Sequence, residues 1–196
     1  MFWAKKKKSH LLTIVIVILT LVSAKPYISA NFPYTHDGEN HLARFANYKL
    51  AIKEGQFPPR FAPGLLNSYG YPVFNYNYPL ANILSLPFSA LKINYEWTFK
   101  VIVVGFLAFG LIGVNKWLKT LGVRENGRVF ALALFASSPY LISTLNYRGN
   151  IGEIMAICLL PWLFYFVDQA VHDFKNKLID SKTQFIFASA IWAMFF

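Results

Sequence analysis

From Val129 to Tyr147 the chain runs for 19 residues without a charged side chain. That matches the roughly 20 apolar residues an α-helix needs to cross the ~30 Å hydrocarbon core of a bilayer. Other stretches repeat the pattern. Leu11 to Ala24 is free of charge, Trp97–Leu118 is charged only at Lys100 and Lys116, and Ile151–Val167 only at Glu153. Backbone groups in hydrocarbon have no water to bond, so such runs must fold as helices. The chain therefore reads as an all-α, polytopic transmembrane helical bundle. Only 14% of its residues are charged, against ~25% in soluble domains, and 56% are hydrophobic. A soluble domain could not cover that much apolar surface.

Charge then orients the helices. The formal net charge is +10, from 19 Lys+Arg against 9 Asp+Glu. These cations sit at the ends of apolar runs, where they face anionic headgroups and set topology; nucleic acid is not expected as a partner. Lys5 to Lys8 precede the first run, so the N-terminus is expected in the cytoplasm. That run reads either as a signal peptide ending near Val22-Ser23-Ala24 or as an uncleaved span over about 10–32, the latter favoured because further spans follow. The one cysteine, Cys158, allows neither an intrachain disulfide nor a cysteine metal site.

An external loop is expected over 33–78, with a helix from Asp37 to Gly55 lying at the interface. Pro79–Ile93 is short for a span and reads as re-entrant or surface-lying; a full crossing there would swap the sides of the loops at 119–128 and 147–152 and put the basic residues outside. Spans follow at about 97–118, 129–147 and 151–168, with an incomplete one at 183–196. Lys100 and Lys116 are expected to snorkel to opposite interfaces. Lys116, Lys119, Arg124 and Arg128 form a short basic loop, which should be cytoplasmic. The chain stops at Phe196 inside an apolar run, so it is expected to be the N-terminal part of a longer protein.

Two polar clusters then share the outer face. The first is His36, Asp37, Glu39, Asn40, His41 and Arg44, just past the first run. Asp37, His41, Arg44 and Tyr48 are spaced along one helical stripe, suited to phosphate binding and proton transfer. The plainer reading makes Asp37 an N-cap and His41 a solvated side chain. A zinc site from His36, Asp37 and His41 stays open, with no specific spacing to support it. The second cluster is Asn146-Tyr147-Arg148-Gly149-Asn150-Ile151-Gly152-Glu153. A carboxylate inside an apolar run is costly, which marks Glu153 either as functional or as the ion-pair partner of Arg148. Between the clusters lie Arg60, a candidate contact for a lipid phosphate, and aromatics such as Tyr76 and Tyr78, suited to an interface or to stacking on sugar rings.

The order Asp37-x-x-x-His41-x-x-Arg44, then GQFPPRF at 55–61, GYPVFNYNYPL at 70–80 and YRGNIGE at 147–153, resembles a bacterial family of polytopic membrane proteins. It is the family called "6-pyruvoyl-tetrahydropterin synthase related", itself similar to membrane glycosyltransferases of the GT-C fold. Pterin chemistry is not expected, because His10, His36, His41 and His172 are split between the two membrane sides. The resemblance implies a cell-envelope transferase, inverting, that takes sugar from a polyprenyl-phosphate-linked donor on the extracytoplasmic face. It implies catalytic roles for Asp37 and Glu153, and the reading of the residues adds substrate binding by His41, Arg44, Arg60, Tyr76, Tyr78, Arg148 and Asn150. No cofactor is implied with certainty. This chain has a single Asp37 where an adjacent acidic pair is usual, which leaves a divalent metal open. The rival reading is a lipid or polysaccharide transporter, flippase-like, whose outer loop binds headgroups without bond-forming chemistry.

Overall fold

The computed structural model describes residues 2–175, together with Phe185 and Ser189. Apart from those two, the incomplete span expected at 183–196 lies outside the described residues. The described residues form eight α-helices and no strand beyond a single antiparallel bridge between Ala62 and Tyr71. They are α1 (Phe2–Ser23), α2 (Lys25–Ile28), α3 (Gly38–Lys53), α4 (Leu80–Ala90), α5 (Tyr95–Thr120), α6 (Glu125–Ala136), α7 (Pro139–Ser143) and α8 (Ile151–Lys175).

Two helices are long and apolar enough to cross a membrane, Tyr95–Thr120 and Ile151–His172. A third crossing results if α6 and the segment Pro139–Arg148 count as one span, bent by 41°. The bend has a local cause. Ser138 precedes Pro139, which disfavours helical geometry at 138, and the Ser138 hydroxyl instead caps α7 by accepting the Leu141 N–H at 3.2 Å. The 129–147 run is thus a broken helix, not the straight one its composition suggests.

The expected continuous span over 10–32 also breaks. α1 ends at Ser23, and Pro26 enters the first turn of the short helix α2, because its missing N–H and its ring cannot continue α1. The apolar part of α1, His10–Ser23, is shorter than a span. α4 likewise has 11 residues, about 16 Å of helix, or half a hydrocarbon core.

α5 and α8 pack most closely, and they run parallel. Trp162 Nε1 donates to Phe109 O at 2.9 Å and its ring stacks on Phe109 at 4.5 Å. Farther along both helices Trp117 Nε1 donates to Asp168 Oδ2 at 3.0 Å. Because both helices point the same way, α6 and α7 carry the chain back along the bundle. Arg128 ties that return path to α5 through Asn115 Oδ1 at 2.9 Å. The first turns of α5 and α8 therefore share one end, and the basic stretch 116–128 lies at the other.

The main core is built at the shared end from Tyr27, Phe45, Phe99, Val103, Leu141, Leu145, Ile151 and Ile154. Lys100 lies within this core. It is 2% exposed, and its ammonium donates to the carbonyls of Ser29, Ala30 and Asn31 at 2.9, 3.1 and 2.9 Å. It does not snorkel. The carbonyls left over after α2 need donors, and Lys100 supplies all three of its own.

Candidate functional site

The segment before α3 lies against the turn before α8. Thr144–Arg148 forms a wide π turn that closes with Gly149 N donating to Thr144 O at 2.8 Å. This turn leaves two carbonyls facing outward. Tyr147 O accepts the His36 N–H at 2.9 Å, and Arg148 O accepts the Asp37 N–H at 2.8 Å. The two polar clusters, more than a hundred residues apart in sequence, are thereby joined backbone to backbone. Gly149 makes this fit: its φ is +62°, and a Cβ there would collide with the Thr35 side chain.

Tyr78 adds a second clasp. Its hydroxyl accepts the Gly152 N–H at 3.0 Å and donates to Asn150 Oδ1 at 2.8 Å. The ring covers Gly152 so closely that any Cβ there would overlap it. Asn150 caps α8, its Oδ1 accepting from the amides of Gly152 and Glu153 at 3.2 and 3.3 Å. Burial is the main reason the Tyr78 phenol is pushed up to about 12. The Gly152 N–H and Arg44 pull it down, while Asp37 and Glu153 push it up. Tyr78 therefore keeps its proton and sits within electrostatic reach of Arg44, Asp37 and Glu153 together.

Glu153 lies at the third position of α8, where the helix dipole favours an anion, and not deep in apolar surroundings. Its Oε2 accepts from Arg148 Nη1 at 2.6 Å and from Tyr140 Oη at 2.9 Å, and its Oε1 accepts from Asn150 Nδ2 at 3.4 Å. Both oxygens are engaged. The ion pair with Arg148 weighed in the sequence is present, and Glu153 acts on Arg148 by holding it. Tyr140 is the partner that sequence reasoning missed, since the break at Ser138 brings it round to α8.

Asp37 stands at the first position before α3 but makes no side-chain cap. Its Oδ1 contacts His36 Nδ1 at 2.9 Å, and Oδ2 has no partner among the described residues. The N-cap reading is thus corrected. So is a solvated His41: its ring is 2% exposed, lying 6.2 Å from Tyr78 and 6.0 Å from Phe99, and its Nε2 is buried without a partner. Burial, aided by Arg44 and opposed by Asp37, lowers its pKa to about 4, so His41 is neutral at physiological pH. Among the described residues no three His, Cys, Asp or Glu side chains are grouped to hold a metal ion, so the trio His36, Asp37 and His41 is not assembled as a site.

Arg44 has no hydrogen-bond or ion-pair partner among the described residues, though its charge bears on both His41 and Tyr78. Tyr76 is exposed and lies outside the clasp. Arg60 is also elsewhere: it lines a separate cleft, with Nη1 donating to Asn75 Oδ1 at 3.3 Å. Beside the clasp, a cavity of about 200 Å³ begins at Tyr78 and Glu153 and continues along α8 past Met155 and Ala156 to Leu159. Its lining is mostly apolar, with Tyr78 and Glu153 contributing polar groups.

No family model matches the chain, and no solved structure does. Over 167 residues it is 26% identical to an uncharacterized protein of Lactococcus lactis subsp. cremoris (strain MG1363), an alignment covering 82% of this chain and 27% of that relative. The chain spans about a quarter of the length of the curated relative it matches.

Proposed function

We propose that this chain contributes the site-bearing part of a multi-pass membrane glycosyltransferase of the GT-C type. The donor is a sugar on polyprenyl phosphate, used at the extracytoplasmic face. One observation carries the reading: the Asp37 amide is hydrogen-bonded to the Arg148 carbonyl at 2.8 Å, which joins the backbone of a carboxylate residue to that of an arginine whose guanidinium Glu153 holds. A carboxylate and a fixed cation are what the transfer needs at its two ends. The parallel course of α5 and α8 supports the orientation, since it separates Asp37 from Lys116, Lys119, Arg124 and Arg128 by the length of the bundle.

In this mechanism Asp37 removes the proton from an acceptor hydroxyl. The freed oxygen attacks the anomeric carbon of the donor, and the bond from that carbon to the phosphate oxygen breaks with inversion. The electron pair leaves on the lipid phosphate, whose growing charge Arg148 and Arg44 stabilise. Glu153 and Tyr140 hold Arg148 in place, and Tyr78 and Asn150 fix the start of α8. The apolar cavity along α8 suits a lipid tail entering beside Glu153. His41, neutral and buried, supports the fold of α3 and carries no charge to the phosphate.

The test is a membrane assay with radiolabelled polyprenyl-phosphate sugars. Wild type transfers label, and Asp37→Asn at equal membrane abundance loses about 100-fold or more of the rate. Full transfer by Asp37→Asn removes Asp37 as the base. Lipid translocation without any label transfer would instead favour the transporter.

A further inference from the structure

The loop between α3 and α4 is held as a rigid platform. Gln56 Oε1 accepts from the amides of Arg60 and Phe61 at 3.3 and 3.1 Å, and Asn47 Oδ1 accepts from Gly64 N at 2.7 Å. Ala62 and Tyr71 exchange two backbone hydrogen bonds, at 2.8 and 3.0 Å. Between this platform and the start of α4 lies a cleft of about 190 Å³, apart from the clasp at Asp37 and Arg148. Its walls include the rings of Tyr48 and Phe74, packed edge to face at 5.1 Å.

The polar groups lining that cleft are underused. Asn82 is 4% exposed, and no hydrogen bond forms to its side chain among the described residues. Asn77 Nδ2 is buried with no partner. Tyr48 is 5% exposed, with no hydrogen bond to its hydroxyl among the described residues, and burial raises its pKa so that it stays a donor. Arg60 reaches the cleft with one weak bond, to Asn75. A buried donor normally finds an acceptor, so the Asn77 amide left open, beside the Asn82 amide, the Tyr48 hydroxyl and the Arg60 guanidinium, marks a place where a ligand supplies one. No carboxylate lines the cleft, and the one charge is a guanidinium.

We propose that this cleft binds a small hydroxylated ligand carrying one phosphate ester. Arg60 takes the phosphate as a charge-assisted fork, Asn77, Asn82 and Tyr48 hydrogen-bond the remaining oxygens, and the Tyr48 and Phe74 rings bound its apolar faces. The cleft is smaller than the roughly 300–1,000 Å³ used by drug-sized ligands, which limits the occupant to a glycerol- or monosaccharide-sized group. The source is either a free ester or the headgroup of an anionic lipid. This site stands independently of the transfer reaction.

The experiment measures binding of sn-glycerol 3-phosphate to the purified chain in nanodiscs, with glycerol as the neutral control. Saturable binding of the phosphate ester and none of glycerol is expected. Arg60→Gln, a change at an exposed side chain, should weaken it about tenfold, and Asn77→Ala severalfold, while Asp37→Asn leaves it unchanged. Competition by phosphatidylglycerol but not phosphatidylcholine nanodiscs identifies a lipid headgroup, and its absence identifies a free ester. Equal binding by wild type and Arg60→Gln, or no binding by wild type in any nanodisc, overturns the proposal. Loss of transfer in Asp37→Asn with retained ester binding separates this site from the reaction.

Discussion

The amide of Asp37 donates to the carbonyl of Arg148 at 2.8 Å, so the turn that opens α3 and the turn that precedes α8 form one unit. Thr144–Arg148 leaves its last carbonyls without helical partners, and His36 and Asp37 supply the missing donors. The side chains on these two strips of backbone have other partners, Asp37 at His36 and Arg148 at Glu153.

Glu153 and Arg148 should behave as one element in function. Glu153→Gln and Arg148→Gln are each expected to lower transfer by about 10-fold or more, with the double variant little worse than either single one. Kinetics on the three variants checks this. Independent, multiplying losses would show that Glu153 does something other than hold Arg148.

Gly152 leaves no room for a side chain beneath the Tyr78 ring. Gly152→Ala should therefore displace Tyr78 and cost about 1–3 kcal/mol of stability, as overpacking does. Thermal unfolding in detergent measures the loss. Adding Tyr78→Ala to Gly152→Ala should recover part of it, because the clash is then gone.

Lys100 satisfies three carbonyls that follow α2. Lys100→Met keeps the aliphatic bulk but leaves those carbonyls unbonded, at an expected cost of about 2–4 kcal/mol. Limited proteolysis between Ser29 and Thr35 should speed up in this variant. An unchanged cleavage rate would count against the ammonium as the clamp.

His41 makes the fold acid-sensitive. Its pKa is about 4 in the folded state against 6.5 for the free side chain, so the unfolded state binds more protons between those values. The contribution is complete above pH 6.5 and falls as pH drops toward 4, by up to about 3 kcal/mol. In His41→Leu that stretch of the stability curve should flatten. A pH profile of the melting temperature for both proteins reads it directly.

How far the chain alone carries the reading depends on the range of the forces involved. Apolar run length and charge are local properties, and they mark α5 and α8 as helices long enough to cross a membrane without any knowledge of neighbours. The helix over Gly38–Lys53 is legible in the same way. Run length misleads where a proline intervenes: Pro26 splits the first run and Pro139 bends the third, because absence of charge says nothing about backbone donors.

Burial was decided only in three dimensions. Lys100 reads as an interfacial cation until Ser29, Ala30 and Asn31 present their carbonyls from the segment after α2. His41 reads as solvated until Tyr78 and Phe99 close over it. Arg60 and Arg148 look alike in sequence, yet packing puts Arg60 at a cleft and Arg148 in an ion pair with Glu153. By itself the sequence determined which segments must be helical and where polar chemistry is concentrated, since hydrophobic length and charge act residue by residue. Which of those polar groups meet, and which stay open to a ligand, was decided by the tertiary structure, because hydrogen bonds and burial depend on residues that the chain order keeps far apart.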